Sequence, residues 1–459
     1  MDDYGQEQHK WDMLLGMSDP FAVRELCADA HPESLAQFLT NIDVESASRL
    51  LSLLDVAQQA LIFSYFDASK QLEIAETIGM HNVANFVAEM QADERVDFIK
   101  SLPETIREEL LPVIARTERE DILRLAAYDE GTAGSVMTSD YVTLYPELTA
   151  GQAISKIRLE APDKETIYYC YVISPSRQLM GIISLKDLIL AHPNKPITEI
   201  MQEDVISIEA HEDREKAAHI IDKFDLLALP VINEKQELLG IITYDDALEI
   251  VKEEQTEDMS RFMAIAGDHN ANYLKTSAWT HFKNRIGWVA ALAVISLLSG
   301  LVLQHYENVL RQIFILALYI PMLTNSGGTT GSQAATVIVR ALALHELTLK
   351  DSIRVLFKEF AISVLLSLVL VAIAFIKILF LSQGTEIPDE FGLAHIAAAI
   401  MLALAIQVIT ATLIGAALPL IAQKFQKDPA VIASPGLMTL VDITGLLIYF
   451  STASWILGI

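Results

Sequence analysis

A single aspartate stands in the last apolar stretch of this 459-residue chain, within the segment ASPGLMTLVDITGLLIYF. Asp442 has apolar residues on both sides and no basic residue close to it in sequence. A charged carboxylate in hydrocarbon costs about 3 kcal/mol or more, so it should face water or a partner. Carboxylates and water are the ligands that Mg²⁺ prefers. We interpret Asp442 as part of an ion path; the alternative is a hydrogen-bonded carboxylate that stabilises a helix bundle.

A second group of acids precedes the apolar segments. Glu254, Glu257 and Asp258 have the spacing of one face of a helix, where like charges repel by a few tenths of a kcal/mol per pair. A divalent cation shared with another acidic surface would relieve this repulsion, whereas a solvated charged face is the simpler alternative. Further acids lie nearby in sequence: Asp213, Glu215, Asp222, Asp225, Asp245, Asp246 and Glu249.

The charge is unevenly distributed. The chain has 60 acidic and 33 basic residues, a formal net charge of −27, and nearly all of the excess precedes Ile286. Such an acidic half disfavours nucleic acid as a partner and favours cations. The two cysteines, Cys27 and Cys170, give no disulfide framework. The start, MDDYGQEQHK, lacks the basic and apolar runs of a signal peptide.

Five segments are long and apolar enough to cross a bilayer, which requires about 20 residues. They are Ile286–Gln304, Val309–Ala343, Phe360–Leu381, Leu393–Ala422 and Ala430–Leu457. Lysines and arginines concentrate before the first span and in the second and fourth connections, while the third connection, SQGTEIPDEFG, has none. The positive-inside rule therefore predicts a membrane-embedded protein whose soluble half is cytoplasmic and whose C-terminus is outside.

The apolar segments contain residues that weaken helices. The second includes PMLTNSGGTTGSQ, the fourth contains Pro419, and the fifth has Pro435–Gly436. Irregular backbone at membrane depth is tolerated where it lines a wet cavity, so we expect broken helices around an ion path. Close helix packing is the alternative explanation for any single glycine.

Two patterns divide the soluble half. Short apolar-periodic runs between His31 and Ile114 predict a superhelix of stacked short helices. Between Gly131 and Lys252, an α/β pattern occurs twice, in YYCYVISPSRQLMGIISLKDLI and LALPVINEKQELLGIITYDDAL. These repeats resemble the CBS-domain pair, which often binds adenine nucleotides through a Thr/Ser-x-Asp that contacts ribose. The resemblance implies an ATP ribose site at Thr243 and Asp245, while the first repeat has Ser184 and Lys186.

The predicted fold class is a multidomain membrane protein. It combines an α-helical superhelix N-domain, α/β tandem CBS domains and an all-α, five-helix transmembrane domain. The predicted domains are 1–130 (N-domain), 131–195 and 196–252 (CBS repeats), 253–284 (connecting helix) and 285–459 (transmembrane pore domain).

The whole chain resembles the MgtE family of Mg²⁺ channels in domain order and in local motif. The segments that carry this resemblance are EGTAGSVMTSDYV, ETIYYCYVI, the TED of the connecting helix, PMLTNSGGTTGSQAAT and DPAVIASPGLMTLVDITGLLIYF. The resemblance implies a homodimer in the membrane that takes up Mg²⁺. It also implies that cytosolic Mg²⁺ neutralises acidic contacts and closes the pore by means of the connecting helices.

The resemblance also assigns roles to individual residues. Asp442 matches the pore aspartate of the family, and two copies facing each other in a dimer would suit a hydrated Mg²⁺. The acids assigned to Mg²⁺ sensing are Asp428, Asp213, Glu215, Asp225, Asp246, Glu249, Glu254, Glu257 and Asp258.

Three departures from the family pattern bear on the function. Thr329 replaces an asparagine, and the sequence FAIS after Glu359 lacks a usual glycine. Residues 81–85 carry His and Asn where some members have acids that face the CBS repeats. Sensing is therefore expected to be weaker or placed elsewhere.

Two alternatives remain. The first is a transporter of another divalent ion, such as Co²⁺, Mn²⁺ or Ni²⁺, because carboxylate and water also suit Mn²⁺. The second is a membrane cation or nucleotide sensor that conducts nothing. An enzyme is not expected, since the sequence shows no nucleophile elbow, Walker loop or metal triad.

Overall fold

The computed structural model describes residues 20–28, 30–267, 273–274, 276–343, 346–381, 392–428 and 435–459. The chain divides into two compact units, Met1–Lys252 and Glu253–Ile459. The start of the predicted N-domain, 1–19, and most of the predicted third connection, 382–391, lie outside the described residues.

From Pro20 onwards, the described residues of the first unit begin with nine short helices, which confirms the predicted helical domain. They are α1 (Pro20–Ala28), α2 (Pro32–Thr40), α3 (Val44–Leu53), α4 (Val56–Ser64), α5 (Ala68–Ile78), α6 (Met80–Val87), α7 (Ala92–Ser101), α8 (Glu104–Leu110) and α9 (Arg116–Ala126). Asp43 and Asp55 cap α3 and α4 by accepting a backbone N–H at 2.8 and 2.9 Å. Such caps satisfy amides that a helix start leaves unpaired, and so divide the chain into short helices.

Two α/β repeats follow, with the same local topology. The first contains β1 (Val142–Leu144), α10 (Ala150–Glu160), β2 (Tyr169–Ile173), β3 (Leu179–Ser184) and α11 (Leu185–Leu190). The second contains β4 (Ile208–Glu209), α12 (Arg214–Phe224), β5 (Ala228–Ile232), β6 (Leu238–Thr243) and α13 (Tyr244–Phe262). Each sheet has three strands, of which the first pair is parallel and the second antiparallel. The predicted tandem repeat is confirmed.

One hydrophobic core joins the N-terminal helices to the second repeat. Phe63 packs edge-on against Phe86 and Phe98, with ring centroids 4.8 and 5.0 Å apart, and the same core includes Leu229 and Ile242 of the second sheet. This shared core holds α7 beside the start of α13. Both cysteines of the chain, Cys27 and Cys170, are buried.

Helices dominate the described part of the second unit. They are α14 (Ala278–Ile295), α15 (Leu297–His305), α16 (Glu307–Gln312), α17 (Ile320–Ala343), α18 (Ser352–Leu381), α19 (Leu393–Lys424) and α20 (Pro435–Leu457). Among the described residues, four stretches are long and apolar enough to cross a membrane: Ala278–His305, Leu349–Phe380, Leu393–Lys424 and Gly436–Leu457. The second predicted span corresponds to α17, a 24-residue helix outside those four.

The helices differ from the sequence predictions in where they break. The expected interruption at the glycines of the second span is wrong, because α17 runs through Gly327 and Gly331 without a break. The irregular part comes earlier, as a 3-10 helix at Phe314–Tyr319. Helix α19 likewise continues through Pro419.

The predicted connecting helix over 253–284 is also wrong in extent. Among its described residues, helix occurs at the two ends of this range, since α13 ends at Phe262 and α14 begins at Ala278. Ser277 caps α14 by accepting the N–H of Thr280 at 3.1 Å, which starts a new helix before the predicted first span.

The glycines of α17 do not break the helix, because they serve close contact with a neighbouring helix. A Cβ atom added at Gly415 of α19 would overlap the carbonyl oxygen of Gly331 in α17. A Cβ at Gly331 would lie 3.0 Å from the carbonyl oxygen of Ala411. The two backbones therefore approach closely, as small residues allow at helix interfaces in membranes.

Candidate functional site

Carboxylates from three parts of the first unit lie together where α7 meets the repeats. We call the set the first acidic cluster: Asp93, Glu94 and Asp97 of α7, Glu165 before β2, and Asp245, Asp246 and Glu249 of α13. Burial and neighbouring carboxylates raise the pKa of Asp93 to about 7 and those of Glu94 and Glu165 to about 8. Like charges in a poorly solvated place disfavour ionisation, so this cluster is suited to a cation.

Three members of the first acidic cluster have the geometry of a metal site. Glu165, Asp245 and Asp246 each offer an oxygen, and the three oxygens lie within 4.8 Å of one another. One oxygen of Glu165 and one of Asp93 are buried without a hydrogen-bond partner among the described residues. Hard cations such as Mg²⁺ take carboxylate oxygens of this kind, with water completing the shell.

Sequence reasoning found only part of this cluster. It named Asp245, Asp246 and Glu249, and it expected weaker or differently placed sensing because residues 81–85 lack acids. In the structure, the acids from the N-terminal helices that join this cluster lie on the next helix, α7. Asp93 and Asp97 are four residues apart in ADERVDF and therefore share a helix face, which was a local signal. Glu165 had no such signal, because its neighbours in space are distant in sequence.

The other acids predicted in the second repeat occupy the two ends of α12. Asp213 caps its start by accepting the N–H of Glu215 at 2.8 Å, and Glu215 lies 3.8 Å from His219. Asp225 ends α12 with a left-handed backbone, φ 51°. Backbone capping accounts for two of these three acids, whose predicted role in sensing stays a prediction.

The hydroxyl of the predicted ribose motif also makes a hydrogen bond within the protein. Thr243 donates to Asp246 at 2.5 Å, not to Asp245. Ser184 of the first repeat donates in the same way to Asp187 at 2.6 Å. The two repeats therefore share a hydroxyl–carboxylate pair at the start of a helix, and the predicted ribose contact through Thr243 and Asp245 stays a prediction.

A second acidic cluster lies within the second unit and consists of Glu254, Glu257, Asp258 and Asp428. Neighbouring acids and, above all, burial raise the pKa of Asp258. This cluster contains a cation: Arg261 pairs with Glu257 and, at 3.2 Å, with Asp428. The structure thus brings together all four acids that the sequence assigned to this region.

Asp442 lies half-buried on α20 in the apolar half of the chain. Its neighbour Val441 is fully buried and packs with Leu437, Ala335 and Ala411. A Cβ atom at Gly327 of α17 would lie 3.0 Å from Val441 Cγ1. Helices α17 and α20 are therefore in contact beside Asp442.

Helix α17 carries an exposed polar stripe. Asn325, Thr329 and Gln333 recur every four residues and are exposed, and Thr336 continues the stripe. Residues at this spacing share a helix face. Polar residues within a membrane-embedded unit typically face water or another protein surface.

The comparisons with known proteins agree with this architecture. Residues 320–452 match the MgtE family of divalent cation transporters. Residues 30–131 match the MgtE intracellular N domain, and residues 133–194 and 197–253 match the CBS domain.

Individual relatives extend the match along the chain. A protein named magnesium transporter MgtE from Thermus thermophilus is 35% identical over 333 residues, which is 72% of each chain. Another of that name from Bacillus subtilis is 35% identical over 331 residues, covering 72% of this chain and 70% of its own. A crystal structure of the soluble part of a magnesium transporter aligns with a TM-score of 0.52 and 29% identity, covering 54% of this chain and 98% of that one. This chain therefore belongs to the MgtE family of divalent cation transporters.

Proposed function

We propose that this protein is a homodimeric Mg²⁺ channel or transporter that takes up Mg²⁺ along a path beside Asp442. In this proposal, α17 crosses the membrane in addition to the four long apolar stretches, which makes five crossings. The first unit is cytoplasmic, the C-terminus is outside, and Mg²⁺ bound at the acidic clusters closes the path. The relatives named magnesium transporter support the choice of ion.

The observation that carries the proposal is the polar stripe of α17 next to the helix of Asp442. A membrane anchor needs neither an exposed row of amides and hydroxyls nor a half-buried carboxylate. Thr329, which departs from the family pattern, lies within this stripe. The stripe and Asp442 would together form one wall of a wet path.

A second copy of the chain would supply the opposite wall. One carboxylate is a poor cage for Mg²⁺, which usually keeps several waters and is held through one or two carboxylates. A twofold axis places the same residue on both sides of an interface. Two copies of Asp442 could then hold a hydrated ion between them without stripping its water.

The first acidic cluster supports closure by the transported ion. Its carboxylates are held together by the shared core of α7 and the second repeat, although their charges repel. A divalent cation between them would stabilise this arrangement, and loss of the cation would favour separation. The second acidic cluster, next to the membrane helices in sequence, would respond to the same ion.

A nucleotide is the second ligand that we propose for the soluble half. Thr243, at the end of a strand, and Asp245 supply a hydroxyl and a carboxylate at the two positions that the CBS resemblance assigns to ribose. In the second repeat, the carboxylate belongs to the first acidic cluster, so ATP and Mg²⁺ would compete or bind together there.

The test is ion uptake into proteoliposomes that contain the purified full chain. Mg²⁺ flux would be measured for the native protein and for Asp442→Asn, with Mn²⁺ and Co²⁺ as competitors and with the Mg²⁺ concentration at the soluble face varied. Glu307→Gln is the matched control, because Glu307 is an exposed carboxylate of the same unit that pairs with Arg311.

We expect Asp442→Asn to abolish uptake and Glu307→Gln to preserve it. High Mg²⁺ at the soluble face should suppress native uptake. Native protein without flux at low Mg²⁺ would favour a sensor that conducts nothing, and unchanged flux in Asp442→Asn would place the path elsewhere. Stronger uptake of Mn²⁺ or Co²⁺ than of Mg²⁺ would reassign the ion.

A further inference from the structure

Gln407 is a fully buried amide in the middle of α19, one of the long apolar helices. Its Nε2 donates to the carbonyl oxygen of Val441 at 3.0 Å, directly before Asp442 on α20. Its Oε1 is buried and has no hydrogen-bond partner among the described residues. An amide that leaves an acceptor unsatisfied is an expensive way to fill space, so the donated hydrogen bond needs an explanation beyond packing.

Two glycines on different helices make room for this side chain. A Cβ atom at Gly327 of α17 would lie 2.5 Å from Gln407 Nε2, and one at Gly445 of α20 would overlap the same atom. Gln407 therefore occupies a junction where three helices meet. It touches α17, which carries the polar stripe, and α20, which carries Asp442.

The carbonyl that Gln407 binds belongs to the peptide bond between Val441 and Asp442. Thr444 also donates to the Val441 carbonyl, at 3.2 Å, so this oxygen accepts from two side chains. A hydrogen bond from another helix to a backbone carbonyl resists both rotation of α20 about its axis and sliding along it. Because Asp442 is the next residue, either motion would change the direction of its carboxylate.

We propose that Gln407 is a positioning residue for ion passage, which holds α20 so that Asp442 faces the ion path in one orientation. This inference rests on the proposed function of Asp442. A hydrated divalent ion is recognised through the distance between carboxylate and water, so the orientation of Asp442 would set ion preference as well as rate. A side chain that only stabilised the bundle would affect the amount of folded protein and not the preference among ions.

The test compares Gln407→Leu, which keeps the volume and removes the donor, with the native chain in proteoliposomes. The matched control is Thr412→Val, because Thr412 is also buried on α19 but its hydroxyl bonds to Val408 of the same helix. We expect Gln407→Leu to lower Mg²⁺ flux about tenfold and to raise the ratio of Mn²⁺ to Mg²⁺ flux at least threefold. Thr412→Val should leave the ratio unchanged.

A milder variant covers the case in which Gln407→Leu does not fold. Gln407→Asn keeps the amide but is one methylene too short to reach the Val441 carbonyl, and it should raise the ratio in the same direction. An unchanged ion ratio in folded Gln407→Leu or Gln407→Asn overturns the inference, whether or not the flux falls. Asp442→Asn separates the two hypotheses: if that variant conducts normally, the proposed function fails, whereas if it is inactive and the Gln407 variants keep the native ratio, only the positioning role fails.

Discussion

The two acidic clusters differ in how their charge is balanced. In the first, burial and neighbouring carboxylates raise the pKa of Asp93 and Glu94 far above usual values. In the second, Arg261 bridges Glu257 and Asp428. An ammonium or guanidinium built into a cluster partly replaces a bound cation. The first cluster should therefore depend more strongly on Mg²⁺ than the second.

Removing charge from the first acidic cluster should have the largest effect. In Asp93→Asn combined with Asp246→Asn, two carboxylates are lost while the hydrogen bond from Thr243 keeps an acceptor. We expect the Mg²⁺ concentration that half-inhibits uptake to rise at least tenfold, since about 1.4 kcal/mol of lost binding free energy gives that factor. Proteoliposome uptake at varied Mg²⁺ at the soluble face measures it.

The matched control loses the same charge elsewhere in the first unit. Asp55→Asn combined with Asp67→Asn keeps both helix caps and lies outside the cluster. An equal shift in both double variants would show that net charge, and not the first acidic cluster, determines the response.

The second-largest effect should be a pH dependence of stability that arises from the first acidic cluster. The folded pKa values of about 7 for Asp93 and about 8 for Glu94 and Glu165 exceed the usual values near 4, so folding takes up protons. Stability without divalent cations should therefore fall as pH rises from about 4 to 8. We expect the melting temperature of the full chain in detergent to be several degrees lower at pH 8 than at pH 6.

Saturating Mg²⁺ should reduce this pH dependence, because the cation stabilises the ionised carboxylates. The double variant Asp93→Asn with Asp246→Asn should reduce it as well. A melting temperature that stays constant between pH 6 and 8 without Mg²⁺ would contradict the raised pKa values of the first acidic cluster.

Removing the cation of the second cluster should have the smallest effect. Arg261→Gln leaves Glu257 and Asp428 without their guanidinium partner, and exposed ion pairs contribute about 0.2–1 kcal/mol. We expect uptake at low Mg²⁺ to rise about two- to threefold and its suppression by Mg²⁺ to become steeper. Arg311→Gln, which breaks the pair with Glu307 in the same unit, should change neither.

Local signals in the sequence predicted most of the fold. Aspartate caps such as Asp43 and Asp55 delimit the short helices, and the repeated strand pattern predicted two equivalent sheets. Glycine was harder to interpret, because a residue that lets a chain bend also lets two helices touch. At Gly331 the second effect decides the structure, since α17 stays one continuous helix and contacts α19 there.

The candidate sites were less predictable because they depend on contacts between distant parts of the chain. Asp442 was identifiable because a carboxylate is rare in an apolar segment. Glu165 was not, since the shared core of the first unit brings it near Asp246, and the spacing of Asp93 and Asp97 marked a helix face without showing what it lies against. Gln407 was missed because the sequence does not show which atom it contacts. That atom is the carbonyl oxygen of Val441, on another helix.

The buried cysteines make the native chain a convenient background for site-directed labelling. Cys27 is 5% exposed, and burial raises the pKa of Cys170 to about 12, so neither presents a reactive thiolate to a maleimide or nitroxide reagent at neutral pH. Cysteines introduced at exposed positions such as Ser69 and Ser176 should react far faster. Spin-label distances between the N-terminal helices and the first repeat could then be followed during a Mg²⁺ titration without replacing the native thiols.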